Sequence, residues 1–396
     1  MSTAAAIPFS KRLDRIEISA TLAVVNEAAK LRAAGADIVD FGAGEPHFST
    51  PDHIKEAAIA AIRNNFTKYT PVAGIPELRA AIASRHTQDF GSAYSAEEVV
   101  ASTGGKFALF NVLQVLVDDG DEVVIPVPYW TSFKDIVAYA GGEPVFLETH
   151  ERDGFSLTAK MVEAVLTSRT RVIMVNSPNN PSGAVIPPEE LGAIARLAQQ
   201  RGIFVISDEC YAYLNYTGKR FSLGSVRDAK DNIVIIGSLS KTYAMTGWRL
   251  GYALGPVAVA GALQKLQSQS TSSTSAPVQK AAVAALTGPQ DCIETMRSEY
   301  RQLRDEVVSG LRAIPGVQCN VPDGAFYAYP NVSSFFGRGE VRSAADIAGR
   351  LLREASVATV PGAAFGTRDH IRLSYAVPEK DLQRGLDRMK QFFAGL

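Results

Sequence analysis

Short apolar runs rich in β-branched residues alternate with segments of helical periodicity through the first three-quarters of the chain. Several of these runs are apolar at nearly every position, which is typical of strands covered on both faces. Between them, apolar residues recur at helical spacing, as in Leu109, Val112, Leu113 and Leu116. This alternation predicts an α/β fold built on a mainly parallel, seven-stranded sheet. The predicted strands are 99–102, 122–126, 144–147, 171–176, 203–207, 233–238 and 250–254.

The pattern changes near residue 289. A long charged helix is predicted over 294–314, because Pro315-Gly316 is a helix stop signal. Strand-like runs follow at 325–330 and 371–375, and a last helix is predicted from Pro378. These features predict two domains. The large domain spans 46–288, and a smaller α+β domain combines 1–45 with 289–396.

Composition and charge narrow the classes of protein. The chain of 396 residues has 40 basic and 41 acidic side chains, so no global field draws it to nucleic acid or to an anionic membrane. The three cysteines, Cys210, Cys292 and Cys319, have no metal-ligand spacing, so neither a disulfide framework nor a metal site is expected. No uncharged stretch reaches the ~18 apolar residues of a membrane span. Residues 1–12 lack a signal-peptide core, and the expected location is cytoplasmic.

The rarest motif in the chain is S-x-S-K-x-x-x-x-x-G-x-R-x-G, which begins at Ser238 where a predicted strand ends. Ligands of parallel α/β sheets bind beyond the carboxyl ends of the strands. Lys241 at this place can be desolvated enough to act as a neutral amine nucleophile. The hydroxyls of Ser238 and Ser240 and the guanidinium of Arg249 could then hold a phosphate dianion. Alone, Lys241 would more often be a surface lysine, so the interpretation depends on the combined spacing.

With this motif the chain resembles the class I aminotransferases of PLP fold type I, in the bacterial branch of aspartate aminotransferases that includes aspartate/prephenate enzymes. The likeness runs from Ile18-Ser19-Ala20-Thr21 to Ile371-Arg372-Leu373-Ser374-Tyr375-Ala376. It implies pyridoxal 5′-phosphate as the cofactor, bound covalently by Lys241. It also implies a homodimer whose active sites are completed across a two-fold interface.

Other strand ends carry suitable groups. Asp208 can pair with a pyridinium N–H, although capping a helix is an equally common role for an aspartate in isolation. Tyr211 can donate its phenol to the cofactor's 3′-oxygen. Gly104-Gly105-Lys106 opens a helix, and the backbone N–H groups of Gly105 and Lys106 suit a phosphate.

The resemblance assigns further roles. It implies that Asn180 bonds the cofactor's 3′-oxygen and the substrate carboxylate, and that Trp130 stacks on the pyridine ring. It implies that Tyr69 reaches the phosphate in the partner subunit. Arg372 offers a planar fork for the substrate α-carboxylate, and the backbone of Gly44 lies near the same group.

These residues predict a ping-pong aminotransferase that moves the amino group of L-aspartate, or a related amino acid, to 2-oxoglutarate or another 2-oxo acid. The resemblance suggests that Lys106 reaches the distal carboxylate of the substrate, although its side chain could instead be solvated. In one branch of the family an arginine of the partner subunit binds that group, but residues 267–276 contain no arginine. The chain departs from the usual family pattern at Glu17-Ile18, where Lys-Pro is frequent, and at His47, where Asp is usual.

Four alternatives stay open. Two are close: an aspartate/glutamate–prephenate aminotransferase and an aromatic aminotransferase. A third is a β-lyase or decarboxylase of the same fold, which would differ in how it orients the substrate. The fourth is a ligand-sensing regulator, which would need a DNA-binding extension; no basic helical domain precedes residue 40.

Overall fold

The computed structural model describes residues 9–396. Its strands are β1 Val39–Asp40, β2 Val99–Ser102, β3 Glu122–Val127, β4 Glu143–Glu148, β5 Thr170–Asn176, β6 Phe204–Asp208, β7 Ile233–Ser238, β8 Gly251–Leu254, β9 Tyr327–Ala328, β10 Val357–Ala358, β11 Val360–Pro361 and β12 Ile371–Ser374. Its α-helices are α1 Ala20–Ala33, α2 Asp52–Arg63, α3 Pro76–Phe90, α4 Gly105–Leu116, α5 Ser132–Ala140, α6 Ala159–Glu163, α7 Pro188–Arg201, α8 Leu239–Thr242, α9 Val257–Ser268, α10 Ala276–Thr287, α11 Asp291–Arg312, α12 Ala344–Glu354 and α13 Glu379–Ala394. None of these helices is long and apolar enough to cross a membrane.

The central sheet has seven strands in the order β2-β8-β7-β6-β5-β3-β4. Strands β3 to β7 are mutually parallel, and β8 runs antiparallel to both of its neighbours. Each of the seven strands predicted for this sheet matches an observed one to within one residue at either end. The predicted α/β fold with a mainly parallel, seven-stranded sheet is therefore confirmed.

The middle strands are buried because helices cover both faces of the sheet. Along β5, side chains alternate between two hydrophobic clusters: Ile173 and Val175 belong to one, and Val172 and Met174 belong to the other. This alternation follows from the two-residue period of a strand. Both faces must be apolar, which explains why these strands appear in the sequence as unbroken apolar runs.

A second group of elements packs around a three-stranded antiparallel sheet, β11-β12-β9, and the parallel pair β1-β10. The long helix α11 begins three residues before the predicted 294, and its apolar face, including Tyr300 and Leu303, joins a separate core. Pairing of β1 with β10 brings the N-terminal segment against the C-terminal part of the chain. This placement is what a small domain built from both ends requires.

The central position of β5 makes its stability contribution testable. We expect Ile173→Ala to lower the free energy of unfolding by about 2–5 kcal/mol, because the substitution leaves a void between close-packed side chains. Ile173 is fully buried, whereas Ile62 is 56% exposed and Ile62→Ala provides the matched control. Urea denaturation of both variants measures the difference. Equal midpoints would contradict the central packing role of β5.

Candidate active site

A cavity of 390 Å³ opens at the carboxyl ends of the central strands and is lined from both groups of elements. Because β5, β6 and β7 are parallel, the residues that follow them meet at one edge of the sheet. Every predicted site residue except Tyr69 lines this cavity. They are Gly44, Gly105, Lys106, Trp130, Asn180, Asp208, Tyr211, Ser238, Ser240, Lys241, Arg249 and Arg372.

Lys241 lies in the short helix α8, immediately after β7. Its Nζ donates to the carbonyl oxygen of Gly44 at 2.5 Å and lies 5.9 Å from the centroid of the Phe326 ring. Removal from water lowers the pKa of Lys241 to about 8, and the nearby cations Arg372 and Arg249 act in the same direction. A lysine with this pKa has an appreciable neutral fraction near pH 7, which a nucleophile or base needs.

Asp208 is the last residue of β6 and is buried. Its Oδ1 accepts from the backbone N–H of Cys210 at 3.1 Å, and its carbonyl oxygen accepts from Asn176 Nδ2 at 3.0 Å. Burial raises the pKa of Asp208, opposed by hydrogen bonding from Cys210. No cation within residues 9–396 pairs with this carboxylate, so a cationic N–H group in the cavity would stabilise its charged form.

An anion-binding corner is formed by the start of α4 together with Ser238, Ser240 and Arg249. The first N–H groups of a helix have no acceptor within it. Gly104 precedes α4 with φ 87°, and a Cβ there would lie 2.4 Å from Arg249 Nη2. Only glycine allows this close approach of backbone and guanidinium. The Oγ of Ser238 donates to Ser240 Oγ at 2.9 Å, which holds the two hydroxyls together.

Arg372 lies on β12 and is only 1% exposed. Its Nη1 donates to Asn180 Oδ1 at 3.0 Å and its Nη2 to the carbonyl oxygen of Gly42 at 2.7 Å, while Nε makes no hydrogen bond among the described residues. The guanidinium lies over the rings of Tyr327 and Phe365, at 4.6 and 5.0 Å. Burial lowers the pKa of Arg372, but an arginine stays charged in proteins. A buried cation with no carboxylate partner is suited to bind an anionic ligand.

Tyr327 is a site residue that the sequence did not indicate. Its hydroxyl lies 2.7 Å from the Tyr211 hydroxyl, and both rings are buried. Burial raises the pKa of Tyr211 well above its usual value, so the phenol stays protonated and can donate. Tyr327 lies on β9, and only the pairing of β9 with β12 brings it beside Arg372. The sequence pattern predicts only a strand-like run over 325–330 and no role in the site.

Lys106 and Trp130 lie on neighbouring walls of the cavity. Lys106 Nζ is 4.9 Å from the centroid of the Trp130 ring, which is a cation–π distance. Partial burial lowers the pKa of Lys106, and the positive charge of Arg249 adds to the effect. The lysine is therefore near Trp130 and the anion-binding corner at once, and a carboxylate would relieve its desolvation.

The start of α1 forms a wall that the sequence did not assign to the site. Ser19, Thr21, Leu22 and Val25 line the cavity. The adjacent departure Glu17 is turned outward, with Oε2 accepting from Lys134 Nζ at 3.0 Å. The family often has a lysine at position 17. Here that position is a glutamate, and it pairs with Lys134 of α5.

Two residues that the sequence analysis singled out, Tyr69 and His47, do not line the cavity. Tyr69 is 96% exposed and does not line the cavity of its own chain. His47 contacts Glu299 of α11, with Nε2 and Oε1 2.8 Å apart. The contact of Tyr69 with the phosphate in the partner subunit stays a prediction.

The sequence pattern of the family "Aminotransferase class I and II" matches residues 36–389. The chain belongs to this family, whose members use pyridoxal phosphate. It is 41% identical to the aspartate aminotransferase of Geobacillus stearothermophilus, over 97% of this chain and 98% of the relative. It is 44% identical to the aspartate/prephenate aminotransferase of Thermus thermophilus, over 96% of this chain and 97% of the relative. A solved structure of the Thermus thermophilus aspartate aminotransferase with maleate has a TM-score of 0.93 and 42% identity, covering 97% of this chain and 99% of that one.

The residues present fit pyridoxal phosphate. The glycine-opened helix start and Arg249 suit the phosphate dianion, and the Gly104 position leaves no room for a side chain there. Asp208 is buried and has no ion-pair partner among residues 9–396, so it suits a protonated ring nitrogen. Lys241, with its lowered pKa, suits covalent attachment to the aldehyde.

The pKa of Lys241 predicts a pH dependence for cofactor attachment. Only the neutral amine attacks an aldehyde, so the rate at which apoprotein binds pyridoxal phosphate covalently should rise with pH and level off above about 8. Stopped-flow absorbance measures this rate. Lys241→Arg, which stays protonated, should show no such phase at any pH. A rate still rising steeply beyond about pH 10, the range of an ordinary lysine, would contradict the desolvated environment.

Proposed function

We propose that the protein transfers the amino group of L-aspartate, or a closely related amino acid, to 2-oxoglutarate or another 2-oxo acid. One observation carries the proposal: Arg372 and Lys106 line the same cavity as Lys241, and none of the three forms an ion pair with a residue in the described range. The two cations, which have no ion-pair partner in the described range, match the two carboxylates of aspartate. The names of the relatives support this choice.

Binding of the substrate is assigned to Arg372, Asn180 and Lys106. The buried fork of Arg372 binds the α-carboxylate, and its Nε can donate to it. Asn180, already bonded to Arg372, fixes the plane of that fork. Lys106 binds the distal carboxylate from the other end. Together they set the direction of the Cα–H bond, which decides the bond that breaks.

Lys241 moves the proton. In its neutral form, the Nζ of Lys241 would take a proton from the substrate Cα and would deliver it to C4′ of bound pyridoxal phosphate. When bound, pyridoxal phosphate supplies an electron sink for the electron pair left at Cα. Asp208 would hold a proton on the ring nitrogen of the bound cofactor, and the Tyr211 hydroxyl would donate towards its 3′-oxygen. Reversal of these proton movements with a 2-oxo acid would complete the exchange.

The assembly proposed for this function is a cytoplasmic homodimer. The almost fully exposed side chain of Tyr69 supports it, because an aromatic side chain at 96% exposure is available to a partner. We also infer that 46–288 and the combined segments 1–45 and 289–396 form separate domains, of which residues 1–8 lie outside the described range. Separate hydrophobic clusters, one around Tyr300 and others on the two faces of the central sheet, support this division.

A second acceptor is favoured by the flexible stem of Lys106. A lysine can meet carboxylates at different distances, so prephenate could serve as well as 2-oxoglutarate. Several relatives at 42–44% identity are named aspartate/prephenate aminotransferases. Steady-state assays with a panel of amino donors and oxo acceptors decide between these acceptors. Failure to transaminate any dicarboxylic pair would contradict the proposed function.

Arg372→Ala should impair all substrates alike, because each presents an α-carboxylate to it. Two charge-assisted hydrogen bonds, each worth roughly 1.5–3 kcal/mol, predict a loss in kcat/KM of at least about 100-fold. Steady-state kinetics with aspartate and alanine measure the loss, and an unchanged cofactor spectrum shows that the fold is intact. A loss confined to dicarboxylic substrates would rule out this role.

Lys106→Ala should act selectively. One lost charged contact predicts a fall in kcat/KM for aspartate by about 10-fold or more, with alanine and phenylalanine nearly unaffected. Lys134→Ala is the matched control, since Lys134 pairs with Glu17 and does not line the cavity. Equal losses for aspartate and alanine would assign Lys106 to the phosphate or to the fold.

A further inference from the structure

Glu151 joins the central sheet to the C-terminal elements. It follows β4 in the short 3-10 helix Glu151–Asp153, yet its partners lie far along the chain. Its Oε2 accepts from Asn331 Nδ2 at 2.8 Å and lies 3.3 Å from His370 Nε2. Its carbonyl oxygen accepts from Asn320 Nδ2, also at 2.8 Å. One residue beside the large sheet is therefore held by three side chains from the region of the small sheet.

His370 is buried to 6% exposure, and neither ring nitrogen forms an aligned hydrogen bond with a described residue. Its ring stacks on Tyr329, with centroids 4.7 Å apart and planes at 9°, and meets the edge of Phe155 at 5.5 Å. Burial alone would raise the pKa of Glu151, but its contacts with His370 and Asn331 outweigh burial and lower that pKa. The carboxylate is thus charged, and it is the group that compensates the buried imidazole.

Glu151 and His370, which form a pair, are connected to Arg372 by two routes. His370 immediately precedes β12, so it lies two residues from Arg372 on the same chain segment. Its stacking partner Tyr329 meets the Phe365 ring edge-on at 5.9 Å, and Phe365 lies 5.0 Å from the Arg372 guanidinium. Close-packed rings transmit a displacement rather than absorb it. A shift of His370 would therefore move the arginine.

We propose that Glu151 and His370 form a clasp between the two sheets that positions Arg372 for the substrate carboxylate. Both are positioning residues, because neither lines the cavity. The inference rests on the proposed function, since it concerns the carboxylate that Arg372 binds.

The carboxylate of Glu151 supplies the negative charge of this clasp, because its contacts with His370 and Asn331 lower the pKa of that carboxyl. The other charged or titratable groups near the pair are Arg152 and Asp153 beside Glu151, Tyr329 against the His370 ring, and Asp369 and Arg372 on the His370 segment. Of the described groups, only Glu151 lies within ion-pair distance of His370.

Glu151→Gln removes the charge and keeps the size of the side chain. We expect it to raise the KM for aspartate and for 2-oxoglutarate by about fivefold, with kcat changed less than about twofold. Asp153→Asn, two residues along in the same 3-10 helix and paired only with Arg152 in the described range, is the matched control. His370→Gln should reproduce the effect from the other side.

Hydrogen exchange gives a readout that needs no substrate. Glu151→Gln should speed exchange in residues 368–372, and Asp153→Asn should not. If the two variants exchange alike and have equal KM values, or if only kcat falls, the clasp is wrong. If the unmodified enzyme had no aminotransferase activity, the proposed function would be wrong instead. The hydrogen-exchange comparison would still show whether Glu151 holds the 368–372 segment in place.

Discussion

The excess of positive charge in the cavity is the constraint on which the rest of the site depends. Lys241, Arg249, Arg372 and Lys106 line it, and none forms an ion pair within residues 9–396. Asp208 is the one carboxylate among the lining residues. Removing cations from water without counter-charges costs free energy, so the pocket is suited to anionic ligands. Under the proposed function, a phosphate and two substrate carboxylates would supply the missing negative charge, with Arg249, Arg372 and Lys106 as their partners.

The parallel sheet is what gathers these charges. Strands β5, β6 and β7 end at one edge, and their register places Asn176 opposite Asp208. The short helix α8 after β7 then adds Lys241. The small sheet contributes Arg372. This arginine lies on β12 and reaches the same edge of the central sheet, where it bonds Asn180. Rigid, buried strands on both sides hold these groups at fixed distances, as preorganised binding requires.

Most of the fold and much of the site were accessible from sequence. Buried parallel strands are apolar on both faces, so their limits could be placed to within one residue, and polar residues just beyond them, such as Asp208 and Lys241, marked the edge. Tyr327 and the wall formed by Thr21 could not be found in this way. Their placement depends on tertiary pairing between distant segments, and an aromatic on a two-residue strand reads as core. Tyr69 shows the opposite case, since its predicted contact belongs to a second chain.

The uncompensated charges also link ligand binding to stability. Arg372 and Asp208 are both almost completely buried, and each lacks an oppositely charged partner in the described chain. The folded state without ligands carries this cost, so whatever supplies the missing charges stabilises the fold as well as filling the site. Arg372 shows how the protein keeps such a group in place: Asn180 and Gly42 hold two of its nitrogens, and Tyr327 and Phe365 flank its plane. The fork is thus held while Nε stays without a partner in the described chain, as the proposed binding of successive substrate carboxylates requires.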